Sequence, residues 1–329
     1  MELITKVEYD KAPFKISHLS KSLLLGSCFA ENIGCLMREN KFDCDVNPFG
    51  ILYNPLSVSK ALDDIIACKH YGPDDLFFHQ ECYHSYMHHG SFSATNQEMV
   101  LDTINTRLRK ASQRLAQTEV LIITFGTAWV YYLQSTREVV SNCHKMPAKT
   151  FVREKLTVND IVETYSSLIA KLQQCSPNLR LLFTVSPIRH VKDGLHENQL
   201  SKATLLLAID ELTRKFPEQV SYFPAYEIVM DELRDYRFYA DDMVHPSALA
   251  IQYIWERFCE LYFSADTLQL MKECSNLARA LAHRPLKPDS TEYKRFLGQI
   301  VLKIERLNEK YPYLDLKKEL EQCYIQLNQ

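Results

Sequence analysis

The sequence predicts a three-layer α/β/α protein: a mainly parallel sheet covered by helices on both faces, followed by a helical C-terminal appendage. Three observations predict it. Short, continuous apolar runs alternate with amphipathic stretches of helical period, the pattern of strands buried on both faces. The clearest runs stop at small or polar residues: Gly26-Ser27, Gly126-Thr127 and Ser186-Pro187. Beyond residue 264 the strand pattern ends and only helical periodicity remains.

The first run, Ser22 to Gly26, is too short for a helix and reads as a buried strand ending at a turn. Residues 29–40 then support a helix with Ile33, Leu36 and Met37 on one face. A second extended piece, 42–46, meets Asn47-Pro48-Phe49-Gly50, and helical spacing returns over 56–68. Residues 97–117 are amphipathic and lead into 119–125, the strongest buried-strand pattern in the chain. Helix 158–174 precedes strand 179–185; helix 197–215 precedes the weaker strand 220–223; helix 247–262 closes the unit. Two stretches break the alternation: 71–95, rich in aromatics and histidines, and 132–150. Long connections of this kind inside a compact domain are usually functional. The pattern divides the chain into residues 1–264, with those two stretches as loop insertions, and a helical extension over 265–329. In the extension, Asp289 and Glu292 resemble a helix-capping pair.

Composition narrows the function classes. The chain has 329 residues, 46% hydrophobic and 24% charged, ordinary for a globule with a full core. A net charge of -3 provides no overall basic field for nucleic acid. No apolar stretch approaches the roughly 20 residues that span a bilayer, so neither nucleic acid nor membrane is an expected partner. Ten scattered cysteines and a charged N-terminus without a signal-peptide pattern fit reduced thiols and a cytoplasmic protein. Only 8 glycines occur, where average usage of about 7% would give roughly 23. Each position that keeps one is therefore informative.

Two short motifs carry chemistry. Ser27 stands between a strand and a helix, where backbone N–H groups and the helix dipole favour developing negative charge. A hydroxyl there can attack a carbonyl, and it can equally be a helix cap. Asp242 and His245 are three residues apart in DDMVHPS (241–247), so one turn brings carboxylate and imidazole together. An Asp holding one ring nitrogen leaves the other to deprotonate a serine; Asp and Pro also belong at helix starts.

The layout of a serine after the first strand and D-x-x-H-P before the last helix resembles the SGNH (GDSL-type) hydrolases, whose fold is flavodoxin-like. GSCFAENIG (26–34) is similar to the signature of the GSCFA family. NPFGILYNP (47–55), HS-x-x-HH (84–89), GTAWVY (126–131) and SPIRH-x-x-DG (186–194) resemble that family too, over roughly residues 20–260. The resemblance implies Ser27 as nucleophile, although Gly26 replaces the usual preceding Asp, with Asp242 and His245 completing a triad. It implies Gly50 as an oxyanion-hole glycine whose N–H joins that of Ser27. The block that normally supplies a side-chain Asn reads Gly126-Thr127-Ala128, leaving three alternatives. Thr127 donates, an Asn such as Asn54 or Asn142 enters from a loop, or hydrolysis is weak or lost.

Other residues hold two readings each. Arg189 suits either a clamp on a substrate carboxylate or phosphate, or a salt bridge on the rim. Trp129 and Tyr131 suit sugar stacking or loop support. The histidines at 79, 84, 88 and 89 lack a metal-binding frame and suit a lid, with His84 and Ser85 as pocket candidates. Cys28 suits a thiol nucleophile or, as a residue past the turn tip, a buried core thiol. The expected activity is a serine esterase acting on a small acyl ester, carried on a carbohydrate or similar polar molecule. It needs no cofactor and no metal. An acyltransferase and a binding protein that keeps the pocket without turnover are the alternatives. The helical tail is an expected surface for self-association.

Overall fold

The computed structural model describes residues 4–9, 12–283, 285–287 and 290–327. Strands β1 (Ser22–Gly26), β2 (Cys44–Val46), β5 (Val120–Phe125), β9 (Arg180–Val185) and β10 (Val220–Tyr222) form one sheet in the order β10-β9-β5-β1-β2. All four pairings are parallel. Between them lie helices α1 (Cys28–Glu39), α2 (Pro55–Ile66), α3 (Gln97–Leu115), α4 (Val158–Cys175) and α5 (Leu195–Lys215). A short turn α6 (Ala225–Glu227), continued by a π-helical turn, leads towards α7 (Ala248–Tyr262).

Alternation along the strands makes the layers. Leu23, Leu25, Leu121, Ile123, Leu181 and Phe183 point into one core with α2, α3, α4 and α5. Leu24, Val120, Ile122 and Leu182 point into the other, with α1 and α7. Strands buried on both faces need no polar alternation, which is why they read as unbroken apolar runs. The chain runs from β1 outward to β2, then returns to place β5 on the other side of β1. The direction of winding therefore reverses between β1 and β5, and ligands of open α/β sheets bind at the carboxyl ends flanking such a reversal.

Neither unassigned stretch is irregular throughout. Residues 71–95 contain a hairpin, β3 (Phe77–His79) with β4 (Cys82–His84), and residues 129–155 contain an antiparallel sheet. That sheet has β6 (Trp129–Leu133) between β7 (Val139–Val140) and β8 (Phe151–Lys155). Helices α8 (Ala265–Leu281), α9 (Thr291–Lys310) and α10 (Lys317–Leu327) follow and enclose a third apolar cluster of their own. Ser290 caps α9 by accepting the Tyr293 N–H; Asp289 of the expected capping pair lies outside the described residues.

Candidate active site

Ser27 leaves the end of β1 and caps α1, its hydroxyl accepting the Phe29 N–H at 3.3 Å. The turn before it needs glycine. Gly26 has φ +139°, and a Cβ there would sit 2.2 Å from the Thr124 carbonyl oxygen. The Asn47 side chain fixes the same turn, accepting the Gly26 N–H at 3.0 Å and donating to Glu31 at 2.9 Å. Three elements thus hold Ser27 at the winding reversal.

The imidazole comes from the other end of the chain. Asp242 Oδ1 accepts the backbone N–H groups of Val244 and His245, each at 2.9 Å, and Oδ2 meets His245 Nδ1 at 2.6 Å. A carboxylate only accepts, so Nδ1 carries the proton and Nε2 keeps its lone pair. The two backbone donors, led by His245 N–H, and then the ring hold the Asp242 carboxyl down at about 2. The loop is closed by the Ala240 N–H on the His245 carbonyl at 2.7 Å and the Ser247 N–H on the Phe238 carbonyl at 2.8 Å.

Ser27 and His245 line one cavity of about 440 Å³, together with Trp129, Asn142, Arg189 and His190. It opens between the sheet's carboxyl edge and the β6–β8 sheet. No hydrogen bond joins Ser27 Oγ to the His245 ring: Ser27 is 1% exposed as a residue and its hydroxyl accepts from its own helix, while the imidazole is half exposed.

The other expected site residues have hydrogen-bond partners of their own or stand away from the cavity. Gly50 is absent from the cavity wall. Its N–H is spent on the Asn47 carbonyl at 2.8 Å, and an added Cβ would meet His89 Cβ at 2.2 Å. Gly50 therefore holds a φ of +76° against His89 and is a turn glycine, not an oxyanion donor. The Ser27 N–H likewise donates to the Thr124 carbonyl at 3.2 Å. Thr127 reaches the cavity, but its hydroxyl accepts the Trp129 N–H at 3.2 Å and shares a hydrogen with Ser201 at 3.1 Å. Asn54 caps α2, its amide donating to Ser57 Oγ at 2.9 Å. His84 stands away from the cavity with both nitrogens used, on Ser93 Oγ at 2.7 Å and the His79 carbonyl at 2.9 Å. Cys28 lines the cavity rather than the core, and burial raises its thiol above the ordinary range.

Among the cavity's donors without a partner in the described residues are a backbone N–H and a side-chain amide. The Cys28 N–H is the first of α1, and the Asn142 amide nitrogen has no partner while its oxygen accepts the His144 N–H at 2.9 Å. Arg189 makes one hydrogen bond, to Tyr239 Oη at 3.3 Å, with its guanidinium over that ring.

Sequence reading overlooked Lys202. It is 1% exposed, with Nζ donating to the Gly126 carbonyl at 2.6 Å and the Ser186 carbonyl at 2.7 Å. It cross-links the ends of β5 and β9 directly behind the site, and burial pulls its ammonium down to about 7. A signal was present: Asn198, Ser201, Lys202, Leu205, Ala208, Ile209 and Leu212 form the buried stripe of α5. A lysine on an apolar stripe is rarely idle.

A parallel α/β sheet thus carries Ser27 and the His245 imidazole on one cavity at its winding reversal. The chain belongs to the GSCFA family, whose model matches residues 21–258; the model described as "GSCFA domain protein, C-terminal domain" matches residues 274–329. Comparison with curated proteins gives no match. Among solved structures, a chain similar to this one comes from work on a carbohydrate esterase whose active site "displays divergent catalytic and non-catalytic binding functions". It is 14% identical with a TM-score of 0.34, over 77% of this chain and 66% of that one, just under two thirds of its length.

Proposed function

We propose that this protein is a serine acyl-ester hydrolase of the SGNH type, removing a small acyl group from a carbohydrate or similar polar alcohol. The observation that carries the reading is the Asp242–His245 contact of 2.6 Å, made by an imidazole that lines the same cavity as Ser27. Helix capping alone requires no carboxylate–imidazole pair facing a strand-end serine.

In this reading Ser27 Oγ gives up the Phe29 N–H and donates its hydrogen to His245 Nε2. Ser27 attacks the acyl carbonyl as Nε2 takes its proton, and Asp242 stabilises the imidazolium. The tetrahedral intermediate collapses to an acyl-serine, and the leaving alcohol takes the proton back from Nε2. Water repeats the sequence and releases the acid; a second alcohol in its place would make the protein a transferase. With the Ser27 and Gly50 N–H groups engaged, the Cys28 N–H and the Asn142 amide are the donors assigned to the oxyanion.

One observation favours a second reading, a binding protein without turnover: Ser27 is nearly inaccessible as a residue and its hydroxyl makes no bond to His245. A fluorophosphonate probe separates the two. The hydrolase reading expects covalent labelling at Ser27, lost in Ser27→Ala and His245→Ala. Folded protein that leaves the probe unreacted, or carries it on another residue, would establish the second reading.

A further inference from the structure

The cavity has two chemically different walls. Ser27 and His245 contribute one part of the lining, and β6, β8 and the segment after β9 contribute another. There the charge is one-sided. Arg153, Arg189 and Lys192 all line the cavity, against a single carboxylate, Asp193. That carboxylate is occupied: Arg153 donates to Asp193 Oδ1 at 2.5 Å. Arg189 has only a tyrosine hydroxyl for a partner, and Lys192 is exposed with no acid in ion-pair range among the described residues. The hydrogen-bond inventory leans the same way. Trp129 Nε1 and Arg153 Nε are buried N–H donors without an acceptor among the described residues. Arg153 stacks over the Trp129 and Tyr131 rings at 4.5 and 5.2 Å, so its guanidinium is held flat against the wall rather than free in water.

We propose that Arg153, Arg189 and Lys192 form a subsite for a compact oxyanion, a phosphate or carboxylate carried by the substrate away from its acyl ester. The assignment rests on the hydrolase reading only for the word substrate; the anion site stands on its own geometry. A group that only accepts hydrogen bonds matches a wall that mostly donates them, and planar guanidinium forks suit both oxyanions. The neighbouring imidazole agrees: burial first, then the charges of Lys202, Arg153 and His245, push His190 down to about 4. His190 is therefore neutral near pH 7 and lends no charge; the cations that hold the anion are the two arginines and the lysine. Specificity follows from this, since a neutral acyl sugar would leave the wall's donors and charges without partners.

The chain contains two tryptophans, which makes a direct test simple. Trp129 lies on this wall, and Trp255 is buried on the core face of α7. Their indole N–H resonances are followed while the full chain is titrated with inorganic phosphate, with acetate, and with acetamide as the uncharged counterpart of acetate. The expected result is a saturable shift of the Trp129 resonance with phosphate or acetate, and none with acetamide. The tighter of the two anions identifies the substrate group. Trp255 should stay fixed. Affinity should fall by about tenfold or more, about 1.4 kcal/mol or more, in Arg189→Gln/Lys192→Gln, because two charge-assisted contacts are lost. Because Lys192 is exposed, Lys192→Glu alone reverses a charge without disturbing the core and should weaken the anion in the same direction. No saturable shift, an equal response to acetamide, or unchanged affinity in the folded variants would overturn the subsite. Serine labelling is read separately: anion binding without labelling defeats the hydrolase reading alone, and labelling without anion binding defeats the subsite alone.

Discussion

At the scale of the residue, Lys202 is an ammonium buried with no carboxylate partner among the described residues. Its two carbonyl acceptors lie on different strands, so the side chain is a strut between β5 and β9 as well as a buried charge. Removing it leaves the Gly126 and Ser186 carbonyls buried and unpaired, at about 1–3 kcal/mol each. The charge itself acts in the opposite sense and depends on pH. A lysine at about 7 when folded and near 10.4 when unfolded releases its proton from the folded chain first. Between those values the unfolded chain binds more protons, so this group's contribution to stability rises with pH and is lowest below about 7. Lys202→Met should therefore be less stable than wild type, with a deficit that widens as pH rises from 7 towards 10. Thermal melts of both proteins across that range, compared as differences, check it; a deficit that stays constant or narrows would mean Lys202 is not released as a neutral amine. Asp242 behaves differently. Held at about 2 mainly by backbone N–H groups, it is ionised across the neutral range and keeps its hold on His245 Nδ1 there.

At the scale of the element, the strand ends were legible and their detailed wiring was not. Continuous apolar runs stopping at Gly26, Gly126 and Ser186 announced a parallel sheet and its functional edge, because strands buried on two faces leave no other pattern. Asp242 and His245 were legible for a local reason: three residues span one turn. The donors around Ser27 were hidden because backbone N–H groups carry no sequence signature, and whether they face a ligand or a neighbouring carbonyl depends on the turn. The β6–β8 sheet and the β3–β4 hairpin were missed for another reason. Their faces are half-buried, and the hairpin turns through Gln80 and Glu81 at φ 46° and 62°, with no Gly or Asn to mark it. The opposite situation holds at Gly26, where glycine is required. Gly26→Ala combines a disfavoured φ with a Cβ 2.2 Å from a backbone oxygen that has no rotamer to yield. The expected loss is about 2–4 kcal/mol, read from urea unfolding. A variant as stable as wild type would show that the β1 turn relaxes freely, and with it the fixed position of Ser27.

At the scale of the whole molecule, the cavity and the C-terminal helices have no residue in common. The last residue at the cavity is His245, and the strand-end serine, the anion wall and the imidazole loop are all built before α8 begins. The helices α8, α9 and α10 bury Leu277, Leu297, Ile304 and Leu316 against one another. They touch the body through Met271, which packs into the core beside α7, and through a hydrogen-bonded Lys41–Glu319 ion pair. An ion pair at a partly exposed surface contributes little, about 0–1 kcal/mol, so the apolar contact near Met271 dominates the join. A chain ending at Ser264 should therefore keep fluorophosphonate labelling at Ser27 and the phosphate or acetate response at Trp129, while melting at a lower temperature. Sedimentation of the full and shortened chains, run beside the labelling, also tests the tail as a self-association surface. Exposed apolar side chains at Leu302, Tyr324 and Ile325 lie on its outer faces. A full-length dimer that becomes a monomer on shortening would assign the tail that role. Loss of labelling in a shortened chain that still folds would instead mean that α8–α10 hold the Ser27 edge in place from behind α1.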